Sequence, residues 1–334
     1  MPSSTSSSDA LGRAPELPWG RLWLLGLAIA LGILGGAEGL WRSRGHRPVV
    51  DDGPGLWSAS WRRVSEPGAL VLLGASRIQV GLDLDRIHDA LGLQPVMLAI
   101  DASSPRPILE ALAHDGSFHG RVLCSVTAET LVPGPKDRRP ADWLARHRRA
   151  PLDAPLNRWA SIQLQQRLVL ASYGASLHRI VYTLLRRGTL PEPSYLYTRA
   201  DRERSTDFSR VPDLEIVRRG YVDRLKGAPW AWTPATWLEA TEPVQAWAQA
   251  IEERGGSVLF VRLPTSGALR ALEDARAPRD RFWDRFAERS PAPAVHLDDL
   301  GGSYHLPDDS HVDRADRAGL TDVVIRLVAD HLQP

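Results

Sequence analysis

Three residues, one near the start of the folded domain and two near its end in a 334-residue chain, are of the types that acyl-transfer chemistry needs. Ser76 stands in "ALVLLGASRIQVG", just past the apolar run Leu70 to Leu73 and a Gly74-Ala75 step. Asp308 and His311 stand near the other end, in "YHLPDDSHVDRADRAGL". A serine hydroxyl is a poor nucleophile at neutral pH. It needs an imidazole to take its proton and a carboxylate to hold that imidazole. An Asp-x-x-His turn supplies both from one loop, with Asp308 facing the Nδ1 side of His311. Each piece alone has a plainer reading. Ser76 caps the following helix or holds a turn; Asp308 and Asp309 make a turn, and His311 starts a helix. A post-strand serine joined to a distant Asp-x-x-His is what raises the catalytic reading above these.

Other chemistry-bearing residues carry weaker signals. Arg77 binds an anionic group or pairs with a carboxylate, and the pair is the expectation. Tyr304 and His305 lie close to the Asp308 loop and are suited to lining a pocket. His296, Asp298 and Asp299 have metal-ligand chemistry, but neighbouring strand positions point in alternating directions, so no metal is expected there. Trp143 and Trp159 are suited to stacking on sugar rings or, more commonly, to filling a core. Cys124 is the single cysteine, which excludes an internal disulfide and a zinc site of paired cysteines. Neither G-x-G-x-x-G nor a P-loop occurs, and no cofactor is expected.

The elements that must position these residues alternate. Short apolar runs at 69–74, 95–100, 121–126, 257–264 and 294–299 read as buried strands. Helical patterns fall between and after them, at 82–92, 105–115, 236–254, 269–290 with a break at Pro278, and 314–332. This rhythm implies a parallel sheet covered on both faces. Residues 130–232 interrupt it with no convincing strand. Their clearest pattern is one or two helices over 156–188, and the region reads as a helical insertion over the core. In an open α/β sheet, ligands bind outside the carboxyl ends of the strands, where Ser76 would sit.

The N-terminal 41 residues are of another kind. Residues 1–18 are rich in Ser, Pro and small residues and are expected to be disordered. Residues 19–41, "WGRLWLLGLAIALGILGGAEGLW", carry no charge between Arg21 and Glu38 and have tryptophans near both ends. Such a stretch can cross a bilayer as a helix. It reads as an uncleaved anchor in preference to a signal peptide cut after Ala37, because its apolar core is long for the latter. Arginines on both sides leave its orientation open. Residues 42–67 read as a juxtamembrane linker and 68–334 as the α/β domain. With 41 basic against 40 acidic residues, nothing global points to nucleic acid.

"LLGASRIQVGLDL", "MLAIDASSPRPILEALA" and "LPDDSHVDRADRAGL" resemble the first, second and last blocks of the SGNH (GDSL-type) hydrolases. The resemblance is closest to a membrane-anchored bacterial branch that includes proteins linked to polysaccharide acetylation, and spans roughly residues 69–128 and 257–332. It implies a three-layer α/β/α flavodoxin-like fold, with Ser76 as nucleophile, His311 as base and Asp308 orienting His311. The N–H groups of Ser76 and Ala102 would bind the oxyanion. It further implies a cell-surface glycan carrying O-acyl, chiefly O-acetyl, groups as substrate, a membrane-bound O-acyltransferase as candidate partner, and an inner-membrane protein whose domain faces the periplasm or exterior. Three departures stand out. The usual Gly-Asp-Ser is Gly74-Ala75-Ser76; the second-block glycine is Ala102; and the third-block asparagine is absent, since the only asparagine is Asn157. Thr127 is the candidate replacement. These departures motivate a second expectation, a weak or inactive accessory subunit of a polysaccharide-modifying complex.

Overall fold

The computed structural model describes residues 18–149 and 154–332. Residues 1–18, expected to be disordered, lie outside the described residues except for Pro18. In chain order the strands are β1 (Ala69–Leu73), β2 (Gln94–Met97), β3 (Arg121–Ser125), β4 (Leu196–Thr198), β5 (Arg204–Thr206), β6 (Ser257–Arg262) and β7 (Ala294–His296). The helices are α1 (Trp19–Ser43), α2 (Pro54–Trp61), α3 (Ser76–Gly81), α4 (Leu84–Leu91), α5 (Arg106–His114), α6 (Arg138–Arg148), α7 (Ala154–Gln165), α8 (Leu177–Arg187), α9 (Leu214–Gly227), α10 (Pro234–Ala240), α11 (Glu242–Glu252), α12 (Gly267–Arg276), α13 (Trp283–Arg289) and α14 (Arg317–His331).

The five apolar runs form one parallel sheet in the order β2-β1-β3-β6-β7. All five residues of β1 are buried, which is why the run shows no polar alternation. Side chains still alternate between faces. Val71, Leu73, Val122, Cys124, Val258 and Phe260 pack on one side with α5, α11 and α2. Leu70, Leu72, Leu123, Leu259 and Val261 pack on the other with α4 and α14. After β2 the chain crosses back over β1 to build β3 on its far side. The carboxyl ends of β1 and β3 therefore flank a point where strand order reverses, the usual place for a ligand crevice.

Local signals explain several boundaries. Asp83 caps α4 by accepting the Arg86 N–H at 3.2 Å, and Gly92 ends it at φ 66°. The expected break at Pro278 separates α12 from α13. The helix expected over 236–254 is two, α10 and α11, divided at Thr241 ahead of Pro243.

Two expectations need correction. The insertion does contain strands, for β4 and β5 pair antiparallel, Tyr197 opposite Ser205. Three-residue strands are too short for alternation to register in the sequence. The tight turn between them is held from afar. Arg202, fully buried and at φ 68°, donates to the carbonyls of Met97 (2.8 Å) at the end of β2 and of Ala99 (2.9 Å) just past it, and pairs with Asp52 at 2.7 Å. Residues 42–67, read as a linker, contain α2, whose Trp57 is fully buried and donates its indole N–H to Leu98 O at 3.0 Å. Four of the eight α2 residues, two of them serines, are buried, so the segment presents no amphipathic stripe to read.

α1 is the one helix among the described residues long and apolar enough to cross a membrane; it is 25 residues long. At about 1.5 Å per residue it spans more than a hydrocarbon core of roughly 30 Å.

Candidate active site

β1 ends in Gly74, and the backbone there decides where Ser76 stands. Gly74 has φ 142°, and a Cβ on it would lie 2.8 Å from Ser125 O at the end of β3. No L side chain fits that angle or that space, so the strand can turn sharply into α3 only through glycine. Gly74→Ala is expected to cost roughly 1–3 kcal/mol in strain and overlap and to shift Ser76, read as a lowered thermal midpoint together with lost reactivity of the serine.

From the other end of the domain, the loop before α14 brings its side chains to the same edge. His311 Nε2 lies 2.8 Å from Ser76 Oγ, and His311 Nδ1 lies 2.8 Å from Asp308 Oδ2. The other carboxylate oxygen, Oδ1, accepts the backbone N–H of Ser310 at 3.0 Å and of His311 at 2.7 Å. Asp308 is 2% exposed and His311 7%, while Ser76 is half-buried. Burial pushes the Asp308 carboxyl up, but the bonds from the His311 ring and the two N–H groups outweigh it and leave it below the ordinary aspartate range. An ionised carboxylate so fixed holds the imidazole with Nδ1–H toward it and the Nε2 lone pair toward the serine.

The loop is fixed by its neighbours. Asp309, at φ 66°, accepts the Ser266 hydroxyl at 3.1 Å and its carbonyl accepts the Ser266 N–H at 3.0 Å. Gly267 is needed beneath it, since a Cβ there would fall 2.4 Å from the Asp309 carboxylate. Arg218 on α9 donates to Pro307 O at 2.9 Å. Arg77, next to the serine, reaches Ser310 Oγ at 3.2 Å and pairs with Glu273 at 2.7 Å, the carboxylate pairing the sequence points to.

Glu273 is the hub of that side of the site. It also meets Arg262 at 2.5 Å and Thr265 Oγ1 at 2.9 Å. Burial raises its pKa, but Arg77 and Arg262 together pull it down to about 2. A carboxyl depressed from its ordinary value of 4.5 stabilises the fold fully above pH 4.5 and loses that contribution as pH falls towards 2. The net gain is smaller than the carboxylate alone implies, because Arg262 is itself buried at a cost. Glu273→Gln is expected to lower stability by roughly 1–3 kcal/mol at neutral pH. It should also flatten the acid limb between those two pH values, as measured by denaturant unfolding at stepped pH.

Ser76, Arg77, Ala102, Ser103, Thr127 and Ser310 share a cleft of about 890 Å³, roofed by α9 residues Ile216, Gly220, Tyr221 and Arg224 and by Tyr195. Among the described residues, neither the Ser76 nor the Ala102 N–H donates to a protein acceptor. Ala102 holds φ 51°, a left-handed angle that costs an L residue roughly 1–2 kcal/mol. Thr127 lines the cleft, but its hydroxyl lies 3.3 Å from Thr130 Oγ1 and its N–H donates to that same oxygen at 2.8 Å.

Tyr221 was not apparent from the sequence. Its ring lies 5.7 Å from the His311 ring, and its hydroxyl is 3.5 Å from Nδ1. Burial, then the nearby Asp308 charge, push the phenol up, so it stays protonated. "RRGYVDRLK" carries no motif that marks it; only the placement of α9 over the cleft does.

Other sequence candidates fall outside this assembly. Tyr304 and His305, expected in the pocket, do not line the cleft: Tyr304 packs against the second face of the sheet, and His305 is exposed beside Asp316 at 3.2 Å. They lie on the far side of the buried Leu306-Pro307 step. Asp298 and Asp299 are taken up by Arg270 and Arg279, each at 2.6 Å. Trp143 is half-buried against Trp57, whereas Trp159 is exposed. Cys124 is buried within β3, and burial raises its thiol pKa, which keeps it from serving as a nucleophile. No protein-family model matches the chain, and no curated protein shows significant similarity to it.

Proposed function

We propose that the chain is a membrane-anchored serine esterase or acyltransferase of the SGNH type. The observation that carries this reading is the unbroken relay from Asp308 through His311 to Ser76, with both contacts at 2.8 Å, at the carboxyl edge of a parallel sheet. The sheet order and the helices on both faces support a three-layer flavodoxin-like fold. Ala102 supports the resemblance in a specific way. It holds the backbone angle that suits glycine, at the position where that family carries one.

The chemistry follows from the geometry. Ser76 Oγ attacks an ester carbonyl while its proton passes to His311 Nε2, and Asp308 stabilises the imidazolium. The carbonyl oxygen gains negative charge, for which the N–H groups of Ser76 and Ala102 are the donors. His311 returns the proton to the leaving alcohol, giving an acyl-serine. Water, or the hydroxyl of an acceptor, then attacks that acyl group with His311 again as base. The substrate assigned by resemblance is an O-acyl, chiefly O-acetyl, cell-surface glycan. α1 is assigned as the anchor in the inner membrane, with the domain in the periplasm or outside. Its unbroken course past Ala37 into contact with the domain supports an anchor over a cleaved signal.

The accessory reading draws on one observation: the Thr127 hydroxyl is engaged by Thr130, so a third oxyanion donor is not evidently supplied. A fluorophosphonate probe separates the two. Labelling of the native full-length protein in detergent, lost in Ser76→Ala, is the result expected of the enzyme. A folded protein that resists the probe favours the accessory role.

A further inference from the structure

α8 has an apolar face that the other described residues leave uncovered. Ile180, Val181, Leu184 and Leu185 recur with the spacing of a single helical stripe. Ile180 packs beside Trp41, but Val181, Leu184 and Leu185 are exposed, Leu185 by 82%. The preceding segment repeats the pattern, with Leu156, Trp159, Leu164 and Leu168 exposed. Charge here is one-sided. Residues 154–191 hold five arginines (158, 167, 179, 186 and 187) and no Asp or Glu, in a chain whose basic and acidic residues otherwise balance.

The place of this surface is set by α1. The last turns of that helix dock onto it. Glu38 accepts the N–H groups of Val169 at 2.9 Å and Leu170 at 3.1 Å, and Arg42 donates to Arg167 O at 2.5 Å. Trp41, 6% exposed, packs with Val169 and Ala175. The uncovered face is thus continuous with the end of α1, the one helix among the described residues long and apolar enough to cross a bilayer.

We propose that residues 156–187 form a platform that lies on an anionic phospholipid surface. The α8 stripe sits at the boundary of headgroups and acyl chains, and the exposed Arg186 and Arg187 reach phosphate groups, as in other basic amphipathic interfacial helices. The platform rests on the reading of α1 as a membrane anchor and adds a second contact with the bilayer. With two contacts instead of one, the Ser76 cleft keeps a fixed height and tilt above the membrane.

Bimane attached to single introduced cysteines in the full-length protein tests this, since Cys124 is buried. The protein is reconstituted in vesicles of phosphatidylcholine with or without phosphatidylglycerol, and quenching by doxyl-labelled lipid is compared at Leu185→Cys, Leu27→Cys on α1 and the exposed Arg285→Cys on α13. Strong quenching at 185 and 27 but not at 285 is expected. Arg186→Glu combined with Arg187→Glu should reduce quenching at 185 several-fold, and only where phosphatidylglycerol is present. A label at 185 no more quenched than at 285, with 27 quenched, overturns the platform and spares the anchor. An unquenched label at 27 removes the anchor reading and the platform with it. A label at 185 shielded from aqueous iodide yet unreached by doxyl lipid indicates a protein cover and also overturns the proposal.

Discussion

Ser76→Ala is expected to lower kcat/KM for a small acetyl ester by about 10⁴-fold or more, with little change in KM. The hydroxyl is the only group in the relay that forms a bond to the substrate, so its loss removes the covalent route. What remains is the pull of the backbone N–H groups on the carbonyl. His311→Ala should fall to a similar level, because a serine without its base is a poor nucleophile. The double variant should then lose almost nothing further, since the two act as one unit. The fold should tolerate Ser76→Ala: one hydrogen bond is worth on the order of 1 kcal/mol, and Ser76 is half-buried. Circular dichroism and the thermal midpoint provide that control. Unchanged hydrolysis in Ser76→Ala would end the catalytic reading.

Asp308→Asn is expected to cost about 10⁴-fold in kcat while leaving the loop folded. The Asn oxygen can still accept the N–H groups of Ser310 and His311, which the Asp308 carboxylate now accepts at 3.0 and 2.7 Å. Its amide would then point an N–H at His311 Nδ1. That donor forces the ring proton onto Nε2, where the serine proton must go, so the base faces Ser76 in the wrong tautomer. Asp308→Ala should lose activity too, but for a second reason. It leaves two buried N–H groups without an acceptor, at roughly 1–3 kcal/mol each. The contrast is the test: Asn inactive at near-native stability, Ala inactive and destabilised. If Asp308→Asn keeps activity within tenfold of the parent, the carboxylate only shapes the loop, and the relay ends at His311.

The fold and the site were legible to different degrees. Most of the five strands could be read because they are runs of apolar residues buried on both faces, a property of the run itself; the edge strand β7, with Ala294 and Val295 half-buried, carries the weakest such run. The membrane-length helix, the Pro278 break and the Asp83 cap are likewise encoded within a few residues. The β4–β5 hairpin was not, since its turn depends on Arg202 reaching carbonyls about a hundred residues earlier in the chain. α2 escaped for a related reason. It is buried against surfaces supplied by β2 and α6, not along one stripe of its own. In the site, Ser76, Asp308 and His311 could be singled out by residue type and spacing. Tyr221, Arg218 and Glu273 could not, because each matters only through what it touches.

By itself, the sequence determined the chemistry on offer: a serine beyond an apolar run, an Asp-x-x-His ahead of the last helix, a helix long enough to cross a membrane, a single cysteine and a balanced charge. The tertiary structure decided which of those groups meet. Strand order places the ends of β1 and β3 at a crossover, Gly74 turns Ser76 into it, and α12 and α9 hold the Asp308 loop against it. The reason is physical. Local propensity and burial act over a few residues and leave a trace in composition. A contact between residues 76 and 311 is made by the packing of the whole domain between them.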